Sequence, residues 1–377
     1  MFITIITFII ILGTLILVHE LGHFITARMF KVKAEEFGFG LPPRIFGFVK
    51  DDHGKWKNVG PKIKAEDYKK TIWSLNWLPF GGFVAIKGEN GDHQQDIDSF
   101  GARKIWQRSA IMFAGVAMNF VLCFVLLAIA FMVGIPSLVD DVTDPNLNAS
   151  NGKVQIISVA KDSPAAAAQI AVGDIILKIN GQPVAAIQEV KDKISASPNQ
   201  EMAITISRSN QEITQKIIPV SSAPDQPAQV GIGLVKTAIV RYPWYQAIYK
   251  GAETTLALTL AILKAFAKII GDLITGQQVE TEVAGPVGIA VLTGQVVKLG
   301  LSYILQFAAL LSINLGIINL LPIPALDGGR LLFLIIEKFK GRPVKQALEV
   351  RIHQIGFILL MFLMVFIILR DIKINLF

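Results

Sequence analysis

A single cysteine, Cys123, stands in the 377-residue chain, so no disulfide can form within it. It lies in an apolar run, which argues against a nucleophilic thiol. Charge is scarce too. Asp, Glu, Lys and Arg make up 17% of the chain, against roughly 25% in an ordinary soluble domain. Hydrophobic residues make up 52% and the mean hydropathy is +0.53, which places part of the chain in lipid. No charged residue precedes Glu20, whereas a secretory signal peptide carries Lys or Arg ahead of its apolar core. The first apolar run is therefore expected to be a retained span. No nucleic-acid module is recognisable, so the net charge of +7 is expected to serve an anionic membrane surface. The Gly-x-Ser-Gly nucleophile of serine intramembrane proteases is missing, as is the Gly-x-Gly-Asp of the aspartyl ones. No inverted repeat suggests a transporter.

What is present is apolar length. Runs of about 18 residues or more mark transmembrane candidates. Four qualify: about 2–27, 105–135, 301–336 (interrupted by Pro322 and Pro324) and 352–369. Residues 245–275 tempt a fifth span but carry Lys250, Glu253, Lys264, Lys268 and Asp272. They are expected to lie on, or dip into, the outer membrane surface. The chain then divides into a first span in 1–30 and a cytoplasmic, membrane-associated β region in 31–103. A second span in 104–135 and a small domain in 150–236 follow. Next come an amphipathic helical segment in 237–300, a third membrane segment in 301–336 and a last span in 352–370. Lys and Arg crowd cytoplasmic span ends. Arg28, Lys31 and Lys33, then Arg103, Lys104 and Arg108, then Lys338, Lys340, Arg342, Lys345 and Arg351 put the two corresponding loops inside. Asp140, Asp141 and Asp144 mark the outer side, while Arg370 and Lys373 run against the pattern.

Three polar residues sit where lipid should exclude them. His19, Glu20 and His23 form His-Glu-Leu-Gly-His inside the first apolar run. A charge at a helix centre costs about 2.5–3.5 kcal/mol on insertion scales, so the cluster needs a reason. Positions i and i+4 share a helix face, and two imidazoles there can reach one metal. The glutamate beside the first histidine can then take a proton from a metal-bound water. A catalytic zinc site normally has three protein ligands. The remaining histidines, His53, His93 and His353, lie in or next to polar loops. Asp327 is the better candidate, a carboxylate inside the third apolar segment beside Pro322, Pro324, Gly328 and Gly329. Broken backbone at membrane depth is tolerated only where protein or a wet cavity surrounds it. At 1.5 Å per residue, His19, His23 and Asp327 all fall near the cytoplasmic side, provided that 245–275 does not cross.

Residues 150–236 have a different texture. Strands are expected at 154–159, 175–179, 202–207 and 213–220, a short helix at 187–194, and a hairpin at Asn180-Gly181. The run Ser163-Pro164-Ala165, Val172-Gly173-Asp174-Ile175-Ile176 and Ile179-Asn180-Gly181 resembles a PDZ domain. It departs from that pattern at Gln169, where a glycine is common. PDZ domains bind extended chain ends by strand addition.

Together, His19-Glu20-Leu-Gly-His23, Phe37-Gly38-Phe39-Gly40-Leu41-Pro42, Gly81-Gly82-Phe83-Val84, Asn314-Leu-Gly-Ile-Ile-Asn319 and Pro322-Ile-Pro324-Ala-Leu-Asp327-Gly328-Gly329 resemble the site-2 protease family of intramembrane metalloproteases. Within it the similarity is to the bacterial RseP-type regulator proteases, over nearly the whole chain. The resemblance implies a polytopic α-helical membrane protein of about four transmembrane helices, with a membrane-associated β-hairpin region and an inserted PDZ-like α+β domain. It implies zinc on His19, His23 and Asp327, with Glu20 as general base. It further implies that Asn319 and Asn314 contact the substrate backbone, and that residues 75–88, with Gly81, Gly82 and Phe83, form a hairpin that pairs with unwound substrate. The implied substrates are single-span membrane proteins such as anti-sigma factors and remnant signal peptides. The PDZ-like domain would screen trimmed chain ends outside the inner membrane.

Overall fold

A computed structural model of the chain describes residues 2–51, 53–61, 63, 65–91, 96–138, 148–208, 211–221, 227–276 and 285–376. Asp140, Asp141, Asp144 and His93 lie outside these residues. Two compact units form, one from Met1–Ala130 with Ile248–Phe377 and one from Phe131–Ala247. The first begins with helix α1 (Phe2–Met29), strands β1 (Ala34–Lys50), β2 (Trp56–Val59) and β3 (Ile72–Ile86), and helix α2 (Ile105–Val133). The second holds β4 (Ile135–Leu138), β5 (Asn148–Val159), α3 (Pro164–Ala167), β6 (Ile175–Ile179), β7 (Gln182–Pro183), α4 (Ile187–Ser195), β8 (Met202–Arg208), β9 (Gln211–Ile217) and β10 (Ile232–Arg241). The chain returns to the first unit with α5 (Trp244–Thr275), α6 (Pro286–Leu299), α7 (Leu301–Leu320), α8 (Asp327–Lys340) and α9 (Gln346–Leu376).

Helices that are apolar on every side suit lipid. Among the described residues five helices, not four, are long and apolar enough to cross a membrane: α1, α2, α5, α7 and α9. The additional one is α5. Its Gly251 packs on Ala128 of α2. After α5 the chain reappears at Gly285, which packs on Ile367 and Asp371 of α9, and Gly294 of α6 packs on Thr4 of α1. Thr4 is about 22 Å along its helix from His19, and Asp371 about 27 Å along its own from His353. Ala128 is about 14 Å along α2 from Asn119. The chain thus leaves α2 and rejoins the bundle at one end, the end away from His19.

The third apolar segment is two helices. α7 ends at Leu320, where Pro322 and Pro324 cannot continue it. α8 starts at Asp327 and stops at Gly341, whose left-handed φ of 66° closes the cap on the Glu337 carbonyl. Between them Ala325 holds φ at 76°, an uncommon state for a residue with a Cβ, and its N–H donates to His353 Nδ1 on α9. The tight return needs Gly328 and Gly329. A Cβ on either would stand 2.2 Å from Leu321 O or 2.4 Å from Ile323 O.

The sheet of the first unit has order β2-β1-β3, and β3 bends back so that β1 is flanked twice. Phe37 lies opposite both Val84 and Trp73. Phe24 of α1 packs with Phe37 and Ala34, fastening the sheet to the helix that carries the histidines.

In the second unit a mixed core of Val154, Ile156, Ile176, Val190, Ile204, Ile206 and Val230 lies between the sheet and α4. Strand alternation produces it: Met202, Ile204 and Ile206 are buried while their neighbours are not. The sheet outruns the expected boundary of 236, since β10 continues to Arg241 and pairs with β4 as well as β5. Asn180 and Gly181 both have positive φ, the hairpin geometry expected of Asn-Gly, and join β6 to β7. Gln169 takes φ of 57°, the conformation a glycine would adopt freely, so the turn survives the substitution. Arg208 holds it there by donating to the Gln169 carbonyl at 2.8 Å. The same guanidinium forks onto buried Asp174 at 2.7 Å twice, and Ala171 N–H donates to that carboxylate. Burial alone would raise the Asp174 carboxyl, but Arg208 and Ala171 outweigh it and hold the group below its usual range.

Two outcomes follow for this unit. Gln169→Gly relieves a left-handed residue and should stabilise it by about 1 kcal/mol. A carboxyl lowered on folding contributes fully above its unfolded value near 3.9 and ceases to as pH falls through the folded value. Arg208→Leu should therefore destabilise the unit by about 2–3 kcal/mol at pH 7 and by much less once Asp174 is protonated. Hydrogen exchange of the β6 and β8 amides, corrected for intrinsic rates, reads both; equal protection in wild type and Arg208→Leu at pH 7 would contradict the account.

Candidate metal centre

His19 and His23 occupy one face of α1, one turn apart and both buried. Their Nε2 atoms are 3.1 Å apart. Asp327, the first residue of α8, brings Oδ2 to 2.9 Å from His19 Nε2 and 3.2 Å from His23 Nε2. That oxygen is buried and takes no other hydrogen bond. Three potential ligand atoms therefore face one another in a triangle that ordinary hydrogen bonding does not explain. Tetrahedral zinc, with ligands at about 2.0–2.2 Å, separates its donor atoms by roughly 3.3 Å. The donor set and its spacing fit such an ion. The three residues are also the one cluster of metal-ligating groups found among the described residues.

Each histidine is oriented from behind. His23 Nδ1 lies 2.8 Å from the Ile111 carbonyl of α2, so it donates there and leaves Nε2 as a lone pair toward the centre. His19 Nδ1 lies 3.1 Å from the side-chain amide of Asn119 on α2. Asn119 is fully buried, and Ser312 Oγ of α7 donates to its carbonyl at 2.9 Å. Close backbone approach makes these contacts possible. A Cβ on Gly22 would stand 2.3 Å from Ala114 O, and one on Gly115 would stand 2.3 Å from His23 Nε2. Asn119, Gly115 and Ser312 were not among the sequence candidates. A polar residue in the middle of the second apolar run was the available signal for Asn119.

Glu20 lies beside the two histidines on α1, and the backbone of Val84 in β3 comes near its carboxylate. The same stretch of β3 climbs α1, with Gly81 against Ile16 and Gly82 against Leu17. Gly81, with φ of 86°, admits the sharp bend. Gly82 and Phe83 pair with Phe39 and Gly38 of β1. Asn319 is half-buried in the last turn of α7. Asn314 is half-buried too, and its amide is spent on the Leu310 carbonyl of its own helix. A cavity of about 1000 Å³ adjoins the turn before α8, lined by Glu89, Arg108, Ala325, Arg330, Glu349 and His353 among others. Arg330 pairs across it with Glu89, which follows β3.

The chain is similar to known proteins over most of its length. The model of peptidase family M50 matches residues 7–58 and 55–363. The chain is 30% identical to the regulator of sigma-W protease RasP of Bacillus subtilis, over 98% of each chain. It is 29% identical to the zinc metalloprotease RasP of Bacillus licheniformis, over 98% of this chain and 99% of that one. A solved PDZ domain of an SdrC-like protein from Listeria innocua matches 22% of this chain and 92% of its own at 26% identity, with a TM-score of 0.20.

If the centre holds a metal, Gly115→Ala should displace the His23 ring and weaken metal binding by about 10–100-fold. Metal content of the purified protein after dialysis against a graded chelator measures this; wild-type retention would show that α2 does not set the ring.

Proposed function

Because this chain belongs to peptidase family M50, we propose that it is an intramembrane zinc endopeptidase that hydrolyses peptide bonds of single-span membrane proteins. One observation carries the reading. His19 and His23 from α1 and Asp327 from α8 bring three ligand atoms within 2.9–3.2 Å of one another inside an apolar bundle. Zinc bound by these residues supplies Lewis acidity toward water and toward the scissile carbonyl.

The chain's own groups do the rest. Glu20 accepts the proton of the attacking water and returns it to the leaving amine, a role suited to a carboxylate next to the ligands. The backbone of Val84 flanks that carboxylate from the side of β3. Asn319 steadies the developing oxyanion. Asn314 contacts the substrate backbone once it gives up Leu310. A helical substrate hides its peptide bonds, so an extended segment has to be held open. β3 is the edge of its sheet, and Gly81, Gly82 and Phe83 lie on the part that packs against α1. Strand addition along this stretch would present an unwound segment to Glu20. The charged cavity that adjoins α8 provides a route for water.

We read the second unit as PDZ-like, on the outer side of the inner membrane, screening chain ends already trimmed there. Substrates are then anti-sigma-factor-like proteins and remnant signal peptides with their N-termini inside. The sigma-W regulation in the name of the Bacillus subtilis relative favours the first of these.

Glu20→Gln should keep about one zinc per chain and lower cleavage of a single-span reporter by about 10²–10⁴-fold. Asp327→Ala should lose the zinc itself. Metal analysis beside a cleavage assay separates the roles; undiminished cleavage by Glu20→Gln removes it as the base, and full zinc in Asp327→Ala removes it as a ligand.

A further inference from the structure

The geometry points to Asn119 as a positioning residue for the metal centre, one whose side-chain carbonyl accepts the Nδ1 proton of His19 and so fixes the tautomer and ring plane of that ligand. The inference rests on the zinc reading above. A neutral imidazole that ligates through Nε2 carries its proton on Nδ1 and needs an acceptor there. The group 3.1 Å from His19 Nδ1 is the Asn119 amide, presented by its Nδ2. A donor facing a donor is repulsive. At the other end of the same amide, Oδ1 is buried with no hydrogen-bond partner. A buried acceptor left unpaired is destabilising.

One half-turn about Cβ–Cγ removes both problems. The two ends of an amide have nearly the same shape, so the exchange needs no new space. Oδ1 then meets the Nδ1 proton of His19. Among the described residues no other acceptor lies at this nitrogen, so the amide is the group that decides the tautomer. His23 shows the same arrangement already made, with Ile111 O as its acceptor. α2 thus orients both imidazoles, His23 by main chain and His19 by a side chain.

Asn119 is itself held on two sides. Ser312 Oγ fixes its main-chain carbonyl from α7. Gly316 of α7 lies so close that an added Cβ would stand 3.2 Å from Asn119 Cβ. The amide therefore has little freedom except rotation in place, and it links α7 to a ligand on α1. A residue of this kind raises the basicity of the imidazole and lowers the entropy lost on ligation. Its removal typically weakens metal binding by 10–100-fold.

The test uses the full-length chain in detergent and zinc alone as the probe. Asn119→Leu, near in size but without an acceptor, should release zinc to a competing chelator with an affinity about 10–100-fold below wild type. Asn119→Asp restores the acceptor and should bind within a few-fold of wild type. In histidine labelled with ¹⁵N, the zinc-loaded wild type should show a protonated His19 Nδ1 shielded from solvent exchange. That signal should persist, shifted, in Asn119→Asp, which reads the contact even if Asn119→Leu does not fold. Equal zinc affinity in wild type and Asn119→Leu, or an Nδ1 signal that Asn119→Asp leaves unmoved, would overturn the role of Asn119 while leaving the zinc site standing. A wild type that binds no zinc would overturn both.

Discussion

Everything in the membrane unit answers to one requirement: two imidazoles and a carboxylate have to share a few ångströms inside an apolar bundle. Desolvating such groups is costly, and only mutual ligation of a cation with full hydrogen bonding behind it offsets that cost. The arrangement follows. α1 supplies two ligands on a single face, which fixes their spacing without help. The third comes from a helix start, where backbone N–H groups favour a carboxylate. To deliver it at the right depth the third apolar segment has to break, and two prolines, two glycines and a left-handed Ala325 perform the break. α9 braces that turn through His353 and through Gly356, where a Cβ would lie 2.4 Å from Pro324 Cβ.

The candidate site was legible because lipid makes polar residues conspicuous. His19, Glu20, His23 and Asp327 stand out from apolar runs on composition alone, and helical rise then puts them at one depth. The β-rich second unit was legible for the opposite reason: strict alternation around Met202, Ile204 and Ile206, and an Asn-Gly turn, are local signals. The left-handed Gln169 shows the limit of such signals. Residue type argued against the turn, and a distant arginine on β8 held it.

Less of the environment could be read. The double flanking of β1 by β3 depends on pairings between residues far apart, which no periodicity reveals. Helix α5 is ambiguous because length and apolar content are equally consistent with crossing and with lying flat. Gly22 and Gly115 look like ordinary span glycines; only the closeness of α1 and α2 shows that a methyl group at Gly115 would strike a ligand.

The three candidate ligands are not mounted on one rigid piece. His19 and His23 ride on α1, clamped backbone to backbone against α2, while Asp327 hangs from a proline-bent link braced by α9. Metal–ligand bonds tolerate deviations of only a few tenths of an ångström. With zinc held as proposed, a centre divided in this way would be a gauge of helix separation: prying α8 from α1 would unseat one ligand of three, and readiness to bind metal would become a mechanical property of the bundle.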